Sequence, residues 1–448
     1  MMIADFLLAM MGLYIGIALT RNVLFYYKRA RLGHIAFEQD WQTYQQADLY
    51  FTDEIFPALM EHIPANVHVD MILFMWNGLT YKGDPIPPSH QDYNDMPEKL
   101  AQLLNEKAHG QVLMDVLDVG YKVVSLNSLP MVKLMPNFTW QILEQPYGNN
   151  NFLPFWFLDT PWLHALFRKT LPQYWLYAYF KMRTCSNHQK IIFIGHGEKV
   201  GMGSRNFNRK NWHNEDHWLF VDGDLAQDLY QKTWKGISVL NKNRTFSYQK
   251  KASPASSVLL RSSAKKQGRA LLNEHIKPVL LHLIEQADQM MIMVSILTEP
   301  SLIRALNRAA KRGARIQVLL DSNHYMFDLR LPYMPNVIAV KDLHKDIQVR
   351  MHYTQYQLHA KSAQFTQDSG EHFTWINSAN WVEGGFNRYA WNEAGVLLYN
   401  DHDVAAKFEN DFIREWAGST DRSGLCIPNI PYKYYLSKIF LKSGFCGW

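Results

Sequence analysis

The chain has 448 residues, with 46 Lys and Arg against 41 Asp and Glu, a formal net charge of +5. At 47% hydrophobic and 19% charged residues it is a globular composition, which excludes long-range disorder. Three cysteines (Cys185, Cys426, Cys446) with no CxxC pair exclude a disulfide scaffold and a zinc knuckle, and so slight a charge does not announce a nucleic-acid binder.

The first feature in chain order is the uncharged run from Phe6 to Thr20, whose apolar character resumes after Arg21. With Arg21 snorkelling, Phe6 to Tyr27 is long enough to span a bilayer. A removable signal peptide fits poorly, because there is no basic leader and no small-residue cleavage site. Arg21, Lys28, Arg29 and Arg31 all follow the run, so the positive-inside rule leads us to expect an anchor over residues 1–31 and a cytoplasmic body. The competing reading is a buried or surface-lying amphipathic helix.

Two segments then repeat. VHVDMILFMWN (67–77) and ADQMMIMVSIL (287–297) are apolar runs of strand character. Each is followed by a helical pattern running into a second strand, LAQLLNEKAHGQVLMDVLD (100–118) and LIRALNRAAKRGARIQVLLD (302–321). This is the pattern of a βαβ unit in a parallel sheet. The first half is longer by an aromatic insertion, residues 138–180, with 14 aromatics and only four charged residues. It reads either as extra core or as a lipid-facing collar of Trp and Tyr. Stacking of nucleic-acid bases fits less well, because only Arg168 and Lys169 are interleaved there.

The motifs repeat as well. NHQKIIFIG (187–195) returns as LHAKSAQFT (358–366), GSRN (203–206) as NSAN (377–380), and Asn-Glu (214–215) as Asn-Glu (392–393). A strand places His and Lys, two residues apart, on one face. An imidazole with an amine and an amide beside it can attack phosphorus while its neighbours hold the non-bridging oxygens. A carboxylate downstream can accept the other imidazole N–H and fix the tautomer. Two such sets supply a nucleophile and a general acid. HNEDH (213–217) has His at i and i+4, but on a strand that spacing is about 13 Å, too far to share a metal.

Between the halves, Leu229 to Asn273 holds ten basic residues and no acidic one, leaving 36 basic against 41 acidic elsewhere. Residues 241–270 read as a solvated basic linker, with contact to an anionic surface as the alternative. The tail, 421–448, is aromatic and Lys-bearing, of interfacial character.

These paired motifs resemble the HxK(x4)D motifs of the phospholipase D superfamily, over most of residues 45–420. The resemblance implies an α/β fold: two tandem α/β/α lobes related by a pseudo-twofold, after an N-terminal hydrophobic helix. The lobes would be residues 45–240 and 271–420, with one active site at their interface. It further implies a two-step transfer through a phosphohistidine, with no cofactor and no metal. His188 would be the nucleophile and His359 the general acid, although the sequence leaves the reverse open. Lys190, Lys361, Asn206 and Asn380 would bind phosphate with help from Ser204 and Ser378, while Glu215 and Glu393 would orient the histidines. The chain departs from the family at Gly195 and Thr366, where the motif has Asp, and at Asn377, where it has Gly. Members with HxK and no Asp are known, notably the tyrosyl-DNA phosphodiesterase branch. The expected activity is that of a membrane-associated, cardiolipin synthase-like phosphatidyltransferase or phosphodiesterase. Its partners would be a phospholipid substrate, the membrane, and an alcohol or phosphatidylglycerol acceptor. A nucleic-acid phosphodiesterase is the alternative.

Overall fold

The computed structural model describes residues 37–73, 76–77, 96–115, 133–143, 186–208, 213–240, 257–261, 265–322, 335–352, 356–382, 384–386 and 391–421, with single positions at 249, 252, 434, 435 and 438. The expected anchor (1–31), most of the aromatic insertion beyond residue 143, and most of the tail lie outside the described residues.

The fold is mixed α/β, built on two sheets. The first has seven strands: β2 (Ala47–Phe51), β3 (Val67–Leu73), β4 (Ala108–Asp115), β5 (Phe138–Leu143), β6 (Lys190–Ile194), β7 (Lys199–Gly203) and β8 (His217–Asp222), in the order β2-β8-β7-β6-β3-β4-β5. The second has ten: β1 (Gln39–Thr43), β9 (Ser257–Val258), β10 (Gln267–Leu272), β11 (Gln289–Val294), β12 (Arg315–Asp321), β13 (Gln348–His352), β14 (Lys361–Thr366), β15 (His372–Asn377), β16 (Ala394–Tyr399) and β17 (Thr420–Asp421). Its order is β9-β1-β10-β16-β15-β14-β11-β12-β13-β17. The inner seven strands of the second sheet repeat the first sheet's order. Strand directions repeat too: β3-β4-β5 and β11-β12-β13 are parallel, and the other pairings within these two seven-strand sets are antiparallel. Register agrees to the residue, since Leu73 pairs with Lys190 as Val294 pairs with Lys361.

The helices are α1 (Ile55–His62), α2 (Met96–Lys107), α3 (Gly223–Leu240), α4 (Ile276–Gln286), α5 (Pro300–Arg312), α6 (Asn336–Asp342) and α7 (His402–Ala417). α5 shows why the sequence folds here. Pro300 opens it, the Glu299 side chain accepts from Ser301 N, and Gly313 closes it at φ 102°. Its Leu302, Ile303, Leu306 and Ala309 are buried against the second sheet. α1 and α2 cover one face of the first sheet in the same way.

The other faces of both sheets share one apolar cluster with α3 and α7. It joins Leu49, Phe193 and Leu219 to Trp234, Val396, Leu398, Phe408 and Phe412. Both sheets are therefore covered on two faces, which explains strands that read as continuous apolar runs instead of alternating ones.

The expected linker is shorter than its composition suggests. β9 and most of β10 fall within residues 241–270, and β10 pairs with β16 along its whole length. Several of the basic residues are also occupied internally. Lys232 pairs with Asp40 and Asp228, Arg261 with Glu38 and Lys266 with Asp401, while Arg269 is buried. Part of the acid-free stretch is thus counter-charge for acids elsewhere in the fold. The insertion likewise begins as structure, since residues 138–143 form edge strand β5.

Candidate active site

β6 and β14 each start at the lysine of a His-x-Lys motif, and the histidine sits just before the strand. Two short parallel crossings hold these ends. Ser186–Asn187 pairs with Trp391–Asn392, and Leu358 bridges Glu215. Each brings one half's histidine segment against the other half's carboxylate segment: His188 N donates to Asn392 O at 3.0 Å, and His359 N to Glu215 O at 2.8 Å.

The histidine side chains follow the same exchange. His188 Nδ1 lies 2.7 Å from Glu393 Oε1, and His359 Nδ1 lies 2.8 Å from Asp216 Oδ1. Each imidazole is therefore oriented by a carboxylate from the opposite half. The second carboxylate is Asp216, which corrects the expectation of Glu215. Glu215 instead accepts a hydrogen bond from Thr52 Oγ1 at 2.8 Å and lies 3.7 Å from Arg414, away from the imidazole. Matching the two Asn-Glu pairs letter for letter sets the first copy one residue early. The signal that could have found Asp216 is the strand start, since Asp216 immediately precedes β8 as Glu393 immediately precedes β16. Ser204 Oγ donates to Asp216 Oδ1 and Ser378 Oγ to Glu393 Oε2, both at 2.5 Å. Each serine oxygen also accepts the backbone N–H just after that carboxylate, at 3.0 Å in one half and 3.1 Å in the other. Ser204 and Ser378 thus support the carboxylates, a role beyond the expected help in binding phosphate.

Lys190 and Lys361 are fully buried, and each Nζ donates to the carbonyl of its own histidine. Asn206 and Asn380 are buried with Oδ1 making no hydrogen bond. Lys190 and Lys361 both act electrostatically on Glu393, and Lys190 also acts on His359, so the two motifs converge on one site.

The two pairs differ in acidity. Burial, and then the Lys361 ammonium, push His359 down to about 4. Burial alone would raise Asp216, but His359, Arg205 and Lys361 outweigh it and hold the carboxyl below its usual range. Burial pushes Glu393 up to about 7 against the opposing pull of Lys190, Ser378 and Lys361. Burial also lowers Lys361 to about 8. At neutral pH the Asp216 pair therefore holds one proton, on His359 Nδ1, and leaves Nε2 with its lone pair. Glu393 titrates near neutrality, so the carboxyl beside His188 holds a proton more readily than the one beside His359.

Two of the departures from the family motif lie away from the motif histidines. Gly195 and Thr366 stand five residues beyond the lysines, about 17 Å along β6 and β14. Asn377 is compensated across the sheet. In the first half Gly203 faces Trp218, and in the second Asn377 faces Gly395. The glycine has changed strands, and the close approach is kept.

His213 and His217 do not come together as ligands. His213 packs on Tyr356, and His217 is clamped between Ser362 Oγ at 2.8 Å and Asp411 Oδ2 at 2.9 Å, tying β8 to β14 and α7. Cys185 lies outside the described residues.

Comparison with known proteins defines the class first. Residues 280–416 match the family described as "Cardiolipin synthase, PLD-like domain". The second half thus carries a phospholipase D-like domain, and the superfamily read from the paired motifs is borne out. Among solved structures, the phosphatidylserine synthase of Haemophilus influenzae Rd KW20 aligns over 93% of this chain and 98% of its own, at 12% identity and TM-score 0.56. That likeness is one of fold. A polyphosphate kinase from Porphyromonas gingivalis aligns over 83% of this chain at 12% identity and TM-score 0.47, and this chain spans 50% of its length. The phospholipase D family member Nuc from Salmonella typhimurium aligns over 34% of this chain and 97% of its own, at 18% identity and TM-score 0.29. No curated protein matches the chain.

Proposed function

We propose that this protein is a membrane-associated enzyme transferring the phosphatidyl group of a phospholipid to an alcohol or water through a phosphohistidine. The observation that carries the reading is the exchanged pair of His–carboxylate contacts, with two buried lysines converging on them. In this reading the two halves are phospholipase D-type lobes about a pseudo-twofold, with the site between them.

In the first step one imidazole Nε2 forms a bond to phosphorus. The P–O bond to the leaving alcohol breaks, and that oxygen takes the proton of the other imidazole. In the second step the acceptor hydroxyl attacks phosphorus, returns its proton to that imidazole, and the P–N bond breaks. Lys190 and Lys361 offset the charge of the non-bridging oxygens, and Asn206 and Asn380 contact them. The proton inventory favours His359 as the attacking group and His188 with Glu393 as the donor, the reverse of the order suggested by the family resemblance.

Lipid is favoured over nucleic acid on two grounds. The matched family and the full-length structural relative are both named for phospholipid synthases. Lys232, Arg261 and Lys266, part of the expected basic footprint, are engaged in ion pairs. Membrane attachment, with the body on the cytoplasmic side, rests on the apolar run and the basic residues after it. Among the described residues no helix is long and apolar enough to cross a membrane. Purified protein given labelled phosphatidylglycerol should form cardiolipin or phosphatidic acid, and His188→Ala should abolish the product. Folded protein that ignores lipid but cleaves oligonucleotides would favour the nucleic-acid reading.

A further inference from the structure

One cluster of metal-ligating side chains assembles among the described residues, and it lies at the opposite end of β3 and β6 from His188 and Lys190. His68 and Asp70 stand two apart on β3, and His196 occupies the turn between β6 and β7. We propose that His68, Asp70 and His196 form a binding site for one first-row divalent cation of the zinc type.

Asp70 is fully buried yet points its carboxylate into this corner, where His68 Nε2 approaches Oδ1 at 2.8 Å. Gln111 Nε2 donates to the same oxygen at 2.8 Å, and Tyr230 OH to Oδ2 at 3.3 Å. A carboxylate held by outer hydrogen bonds in this way is what orients a metal ligand. The turn is built around its histidine. Gly195, His196 and Gly197 run through φ 62°, 56° and 86°, and a β-carbon at 197 would stand 2.7 Å from the Tyr230 side chain. The glycines therefore let the turn settle against the same tyrosine that holds Asp70, and the left-handed conformation carries His196 over His68. Their rings stack at 4.0 Å, and His109 stands edge-on to His68 at 5.6 Å.

Two imidazoles and one carboxylate suit zinc and its first-row neighbours, with a fourth position left to water or to His109. The candidate ligand atoms lie within 4.8 Å of one another. A tetrahedral ion with bonds of about 2.1 Å needs them about 3.4 Å apart, so binding closes the cluster by about 1 Å and turns His196 out of the stack. The duplicated fold supplies an internal comparison. The same register positions in the second half are Gln289 and Met291 on β11, with Gln367 after β14. The ligand set is thus a property of the first half and no by-product of the shared architecture. At about 17 Å along the strand from Lys190, the ion would brace the sheet and take no part in phosphoryl chemistry.

The test uses full-length protein with no affinity tag. Zinc(II) titrated calorimetrically into the protein should bind at one equivalent and raise Tm, and cobalt(II) should give a tetrahedral visible spectrum. His196→Asn keeps a residue that tolerates the left-handed turn, and it should weaken binding at least about tenfold, as should His68→Gln. The exposed His402→Asn should bind as the parent does. Absence of stoichiometric binding by the folded parent, or parental affinity in both cluster variants, would overturn the proposal. Lipid turnover is read separately, so either idea can fail alone.

Discussion

At the scale of single residues, function turns on which carboxylate meets which imidazole. Replacing Asp216 with Asn keeps the shape but removes the charge that holds His359 Nδ1–H, so kcat should fall by about 10²–10⁴. Glu215→Gln touches only Thr52 and the Arg414 neighbourhood, and should change kcat by less than about threefold. Steady-state rates for the two neighbours distinguish them directly, and equal losses would contradict the assignment. The unequal pairs also predict a bell-shaped dependence of kcat/KM on pH. Below about 4 His359 takes up a proton and loses its lone pair, and above about 7 the Glu393 pair loses the proton that His188 must deliver. Activity should therefore rise through the first value and fall through the second. Most of these groups were legible because His-x-Lys and Ser-x-Asn recur in order. Asp216 was not, because its role depends on strand register across the two halves, which similarity of letters does not carry.

At the scale of elements, the strands were legible because apolar runs, helical periodicity and turn glycines agree within each unit. α5 followed by β12 is the clearest case, with Pro300 and Gly313 marking its ends. What composition hid was pairing. β1 precedes the first sheet in sequence yet joins the second through β10, and Arg261 and Lys266 of the basic stretch are counter-charges for Glu38 and Asp401. The glycine exchange makes a testable point about packing. A β-carbon at Gly203 would meet the His217 carbonyl oxygen at 2.0 Å, in the ladder that seats Ser204 against Asp216. Gly203→Ala should cost about 1–3 kcal/mol, read as a lower denaturation midpoint. Gly236 lies within α3 with nothing near its would-be β-carbon, so Gly236→Ala should stabilise by about 0.5–1 kcal/mol. The opposite ranking would contradict this packing account.

At the scale of the whole molecule, duplication explains why one chain makes two sheets of the same order with each histidine completed from the other half. His188 takes its carboxylate from the second half and His359 takes its own from the first, so neither motif histidine is oriented within its own half. The recurrence of strand, helix and strand in the two halves could be read from the repeat. Sharing of one apolar cluster by α3, α7 and both sheets could not, because it joins residues as distant as Leu49 and Phe412. The lipid reading at this scale draws on the aromatic insertion, the apolar N-terminus and the tail, of which Tyr434 and Lys438 reach back to Asp342. The most direct test of the central claim is mass-spectrometric mapping of the covalent intermediate, after rapid quench of the protein mixed with phosphatidylglycerol vesicles. The account predicts a phosphatidyl adduct on the His359 imidazole that an added alcohol chases into product. An adduct on His188, or on neither histidine, from folded protein that still turns lipid over, would contradict it.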